Sequence, residues 1–121
     1  MDELLLCESE YRMMNVIWNH APVESGKLVK LCEAELEWKK STTYTILRKL
    51  CAKGLVQNEE SVVSVLVPRE RVQKYESERI VQKSFGGSLP AFISSFLGNG
   101  NLSKSEADEL IQLIEEHRDD E

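Results

Sequence analysis

Apolar positions recur three and four residues apart near the start of the chain. Tyr11, Met14, Ile17 and Trp18 share one face of a helix that Ser9 is placed to cap and that reaches about Asn19. Ala21-Pro22 ends it, because a residue before proline is pushed out of the helical region. Ser25 caps a second helix, with Leu28, Leu31, Cys32 and Leu36 turned inward. Glu35–Lys40 reads as a polar turn holding one tryptophan. Ser41 then caps a third helix, STTYTILRKLCAK, closed by Gly54 where a left-handed residue is usually needed. Leu47, Leu50 and Cys51 make its inward stripe. Thr42, Thr43, Tyr44, Arg48 and Lys49 are left for the outer side, with Tyr44 at the border. A helix that served only a core would not need so many hydroxyls and bases outside.

After Gly54 the residues change to strand formers. Leu55-Val56 opens one run and VVSVLV at 62–67 a second; NEES is the connection between them and Pro68 closes the unit. Three helices followed by a hairpin is the order of a winged helix-turn-helix. The expected fold is therefore α+β, mainly α, with a winged domain at 1–68. From Arg69 the chain is helical. Val72, Tyr75, Ile80 and Val81 mark a helix to about Phe85, and Gly86-Gly87-Ser88 breaks it. Pro90 fits the first turn of the next, whose Phe92, Ile93, Phe96 and Leu97 form an apolar surface. Beyond Gly98-Asn99-Gly100-Asn101, Ser103 and Glu106 form a capping-box pair for a last helix, with Leu110, Leu113, Ile114 and His117 on one face. Three short amphipathic helices with little chain to cover them point to a dimerisation region at 69–121. The alternative is that they fold back on the winged domain.

With 121 residues, 41% hydrophobic and 30% charged, disorder is excluded. No apolar run nears the ~20 residues that span a bilayer. The opening MDELLLCESE lacks the basic start of a signal peptide, so a cytoplasmic protein with no membrane partner is expected. A net charge of −6 weighs against a nucleic-acid partner until its distribution is read. Residues 103–121 hold eight acids and two bases, which leaves the remainder neutral. Within that remainder, Trp38–Lys53 carries Lys39, Lys40, Arg48, Lys49 and Lys53 and no acid. Local field steers a polyanion more than net charge does, although a solvated helix face would look the same. Cys7, Cys32 and Cys51 make no CxxC pair and stand far from His20 and His117. Cys32 and Cys51 read as small buried groups and Cys7 as a surface thiol. Without a Gly-rich phosphate loop, a metal-ligand cluster or a nucleophile beside a histidine, no enzyme, metal or cofactor is expected.

ESEYRMMNVIW, STTYTILRKLCAKGLV and the late GG…LSKSEADEL, in this order, resemble the penicillinase-repressor family of bacterial transcription regulators, which includes β-lactamase, methicillin-resistance and copper-pump repressors. Glu10, Met14 and Trp18 match its first helix. Ser41, Thr42, Tyr44, Thr45, Ile46, Leu47, Arg48, Lys49, Leu50, Lys53 and Gly54 match its recognition helix. The resemblance implies a homodimer on a two-fold operator in double-stranded DNA, held together by the C-terminal helices through Phe92, Ile93, Phe96, Leu97, Leu110, Leu113 and Ile114. On that reading Thr42 and Thr43 meet base edges, and Tyr44 and Thr45 reach phosphates or bases. Arg48 and Lys49 lie a turn later, towards the backbone. Lys39 and Lys40 meet phosphates beside the helix start, with Ser41 and Lys53 completing the DNA-binding set. Thr45 could instead bond back to its own helix.

Some positions depart from the pattern. The wing tip, Asn58-Glu59-Glu60-Ser61, is acidic where many members are basic or amide, and Leu66 stands near a usual tyrosine. The chain ends HRDDE, with no cysteine-rich copper tail. Members induced by a sensor protease are cut at an asparagine-phenylalanine bond; Ser95-Phe96 is the counterpart here, and the missing asparagine weighs against that partner. The competing function is a winged protein–protein module without DNA binding, which the acidic wing and tail favour and the acid-free stretch at 38–53 disfavours.

Overall fold

A computed structural model describes residues 4–120. Met1–Glu3, where the reading for a leader begins, and Glu121, the last acid of the tail, lie outside the described residues. The first helix, α1, runs Glu8–His20 with Cys7, not Ser9, at its N-cap. The Glu10 carboxylate draws the start forward by accepting the Cys7 N–H at 3.0 Å. Ala21 is extended (φ −67°, ψ 148°) before Pro22, and the helix stops there. Val23–Glu24 forms β1, a strand of two residues, too short to leave any periodic trace. Ser25 is the first residue of α2 (Ser25–Leu36) and not its cap; its N–H donates to the Ser61 carbonyl at 2.8 Å. Glu37 closes α2 in the left-handed region (φ 58°), and Lys39 is the N-cap of α3 (Lys40–Ala52), so Ser41 lies inside the helix. Two helices joined through Glu37–Lys39 form the helix-turn-helix.

Gly54 (φ 79°) lets the chain leave α3 into the wing. β2 spans Val56–Glu59 and β3 Val62–Val65, antiparallel, with Glu59 opposite Val62. The connection is only Glu60-Ser61, both at positive φ (51° and 64°), the backbone sign pattern of a type I′ turn. Asn58 and Glu59, expected in the link, are strand residues. β1 adds to the other edge of β3, pairing Val23 with Val63 and Glu24 with Val62, for a sheet order β1-β3-β2. This is an α+β winged helix, mainly helical.

Its core joins Met13, Met14 and Ile17 of α1 to Leu28 and Cys32 of α2, Leu47 and Leu50 of α3, and Leu55, Val56 and Val63 of the wing. Each such apolar side chain contributes about 1.5–3 kcal/mol on burial. Trp18 ties the wing's end to α1, its Nε1 donating to the Val67 carbonyl at 3.0 Å. Arg69, first residue of α4 (Arg69–Phe85), lies over the Trp18 ring at 5.2 Å and donates to Asn19 Oδ1 at 2.9 Å. Val72 of α4 is fully buried in the same core.

The chain divides into two compact units, Met1–Ile80 and Val81–Glu121. In the second, Gly86 and Gly87 take positive φ (58° and 86°), the reason for glycine at this break. Ser88 accepts the Ala91 N–H at 3.1 Å to cap α5 (Leu89–Leu97), and Ser103 accepts the Glu106 N–H at 3.1 Å to cap α6 (Lys104–Glu116). Phe85 and Phe92 meet edge to face at 5.4 Å. Neither α5 nor α6 has a buried residue.

Candidate functional site

The outer face of α3 is an acid-free surface. Thr43, Ile46, Leu47 and Leu50 are the buried stripe of this helix. Ser41, Thr42, Thr45, Arg48 and Lys49 are exposed, with Tyr44 half-buried at the border as its place in the pattern suggested. Thr45 Oγ1 donates to the Ser41 carbonyl at 2.9 Å and lies 3.5 Å from Arg48 Nη2, which donates to it. Thr45 therefore does bond back to its own helix, and its oxygen steadies the guanidinium one turn on.

The start of α3 is unusual for a helix. Its N-cap is a lysine that makes no side-chain cap, and its first turn has no acid. Lys39 and Lys40 are both exposed there, set against the positive end of the helix dipole. A helix N-terminus favours carboxylates, so two lysines cost stability locally unless an anion completes the site.

Two expected contact residues are placed elsewhere. Thr43 is completely buried, and its hydroxyl donates to the Lys39 carbonyl at 3.2 Å. Its position, one turn before Leu47 and two before Leu50, puts it on the inward stripe, so it cannot meet a base. Thr43→Val, nearly equal in volume, should leave base preference unchanged and cost about 1 kcal/mol of stability in a denaturant melt. Lys53 is also turned away from the outer face. Its Nζ donates to Glu10 Oε1 at 2.8 Å and to the Leu5 carbonyl at 3.4 Å. Nothing local in the sequence links residues 43 positions apart, so this partnership was not legible there.

Burial pushes the Glu10 carboxyl up, but its bonds from Lys53 and Cys7 outweigh that and hold it below the ordinary glutamate range. The stability it contributes is present above that range and is lost as pH falls through the lowered folded value. Burial raises the Cys32 and Cys51 thiols, which stay protonated and unreactive at neutral pH. Cys32 is fully buried, Cys51 half-buried and Cys7 exposed. Among the described residues no group of three or more His, Cys, Asp or Glu could hold a metal ion, and no helix is long and apolar enough to cross a membrane.

Residues 6–116 match the family model described as penicillinase repressor. The chain belongs to the penicillinase repressor family. It is 30% identical to the penicillinase repressor of Bacillus licheniformis over 117 residues, covering 93% of this chain and 91% of that protein. It is 21% identical to the penicillinase repressor of Staphylococcus aureus over 110 residues, 88% of this chain and 87% of that one. An uncharacterised 16.5 kDa protein of Latilactobacillus sakei is 22% identical over 110 residues, 88% of this chain and 75% of that protein. Membership in this family of repressors places the chain in transcription regulation. Ser95 and Phe96 lie in α5, both exposed.

Proposed function

We propose that the protein is a homodimeric transcriptional repressor that binds a two-fold operator in double-stranded DNA, in the cytoplasm and without enzymatic activity. The winged region, 1–68, reads the DNA, and the helical region, 69–121, holds two copies together. The burial of Val72 in the winged core carries that core into the first turns of α4. The observation that carries the reading is the outer face of α3: an acid-free row of Ser41, Thr42, Thr45, Arg48 and Lys49 behind a helix start flanked by Lys39 and Lys40. Thr42 and Ser41 sit where a recognition helix meets base edges, and the lysines where its N-terminus meets a phosphate.

A gel shift on the DNA upstream of the chain's own coding sequence tests this. Lys49→Ala should weaken binding to all sequences and lower the salt slope by about one unit. Thr42→Ala should change preference at one base position, at a cost of about 1–3 kcal/mol. Unchanged affinity in both variants would turn the reading towards a protein–protein module.

The acidic wing favours that second reading. Glu24 and Glu59 flank Val62 on neighbouring strands, all three exposed, with Glu60 at the turn beside them. If the wing lies by DNA, Glu59→Lys with Glu60→Lys removes a repulsion that a Debye length of about 8 Å leaves partly unscreened. Binding should then tighten on specific and non-specific DNA alike, with a steeper salt dependence. No change at low salt would place the wing away from DNA.

A further inference from the structure

Of the five bases between Trp38 and Lys53, Lys53 is the one drawn inward. It is the C-cap of α3, and its ammonium bridges to α1 through Glu10, whose side chain is only 5% exposed. Glu10 in turn accepts the Cys7 N–H, and Lys53 also reaches the Leu5 carbonyl, so α1, the segment before it and the end of α3 meet at one carboxylate. Swinging Lys53 out to a phosphate would strand that carboxylate in a place it cannot leave for water. Such pairs add little net stability over apolar packing; in some proteins what they supply is a fixed geometry. We propose that the Glu10–Lys53 pair is a positioning device for α3, setting the angle of its outer face so that Lys53 acts on operator recognition without touching DNA. This rests on the DNA-binding reading above.

The test uses the full-length chain, the upstream duplex and an unrelated duplex, each titrated over a salt series. Folding of every variant is checked by its thermal melt. Lys53→Met should lower operator affinity about tenfold, the worth of one misaligned base contact, while the unrelated duplex and the salt slope stay unchanged. Lys53→Arg should restore operator affinity. Arg48→Ala, by contrast, should lower the slope by about one unit. A slope lowered by one in Lys53→Met would make Lys53 a direct phosphate contact and overturn the proposal. So would wild-type operator affinity in a folded Lys53→Met chain. Should that variant fail to fold, Glu10→Gln with Lys53→Met removes both charges and leaves no buried charge unpaired. The same tenfold loss of preference is expected there, and full operator preference would overturn the proposal. If the wild-type chain binds no duplex, the DNA reading fails and the positioning claim is judged on the protein alone. The amide resonances of Ser41, Thr45 and Arg48 should then shift in the double variant, and unmoved resonances would overturn it.

Discussion

Phe96→Asp combined with Ile114→Asp should turn the protein into a monomer and weaken operator binding by about 10²–10⁴-fold, with the winged unit still folded. Phe96 is 75% exposed and Ile114 65% in the single chain, so neither side chain supports a core. On the same two helices Leu89, Ile93, Ile111 and Leu113 are exposed as well. The α5 segment LPAFISSFL carries no charge at all. Helices that leave so many apolar side chains exposed are candidates for an interaction site, and a second copy presents the same residues. A stable dimer of this type buries about 1,200–2,000 Å² in all, which two helices from each copy can supply. The loss in affinity follows from tethering. In a dimer the second half-site contact is intramolecular, and in a monomer it must be found again from solution. The salt slope should fall by about half, because half of the phosphate contacts are lost. Sedimentation and a gel shift on the same preparation check both parts. A double variant that still sediments as a dimer would sink the claim. A wild-type chain that is already monomeric would favour helices folded back on the winged domain.

Much of the winged fold was legible because its helices repeat apolar residues with a clean period and its breaks are chemical. Ala21-Pro22, Gly54 and Gly86-Gly87 all stop an element where the residue type requires it. The helix starts are displaced from the expected serines, each by its own surroundings. Ser9, Ser25 and Ser41 are good caps in isolation, but Cys7, Glu24 and Lys39 hold the N-cap positions. At α1 the bond from the Cys7 N–H to Glu10 accounts for the shift; at α2 the Ser25 N–H goes to the wing turn instead. β1 was invisible because two residues have no period, and its partner is nearly forty positions on. At the site, Thr42 and Thr43 are neighbours of the same type, and only helix phase separates them. One faces out and the other is wholly buried, which a list of hydroxyls does not reveal. Lys53 failed similarly: basic composition was legible, while the buried carboxylate that claims it lies on another helix.

Leu50→Ala should destabilise the winged unit by about 2–5 kcal/mol and bring the loss of operator binding through unfolding down to a lower temperature. Leu50 is fully buried on α3, in a core that also draws on Met14 and Ile17 of α1 and Leu28 of α2. Its removal leaves a cavity beneath the proposed reading face, and the surrounding helices close only partly around it. For a unit of 80 residues each kcal/mol moves the melting midpoint by about 4–8 °C, so the midpoint should fall by roughly 8–40 °C. Since small domains are stable by only about 5–15 kcal/mol, a loss at the upper end of this range removes about a third or more of the total. Leu50→Met, which conserves volume, should cost less than about 1.5 kcal/mol and keep DNA affinity. The pair of variants separates support from contact: neither residue could touch DNA from that position, so loss of binding is expected to track the melt. A Leu50→Ala chain that melts with the wild type would mean that α3 does not rest on this core. A chain that stays folded at the assay temperature yet fails to bind would mean that Leu50 acts on the outer face by displacing α3, and the salt slope of Leu50→Met would then be the next measurement.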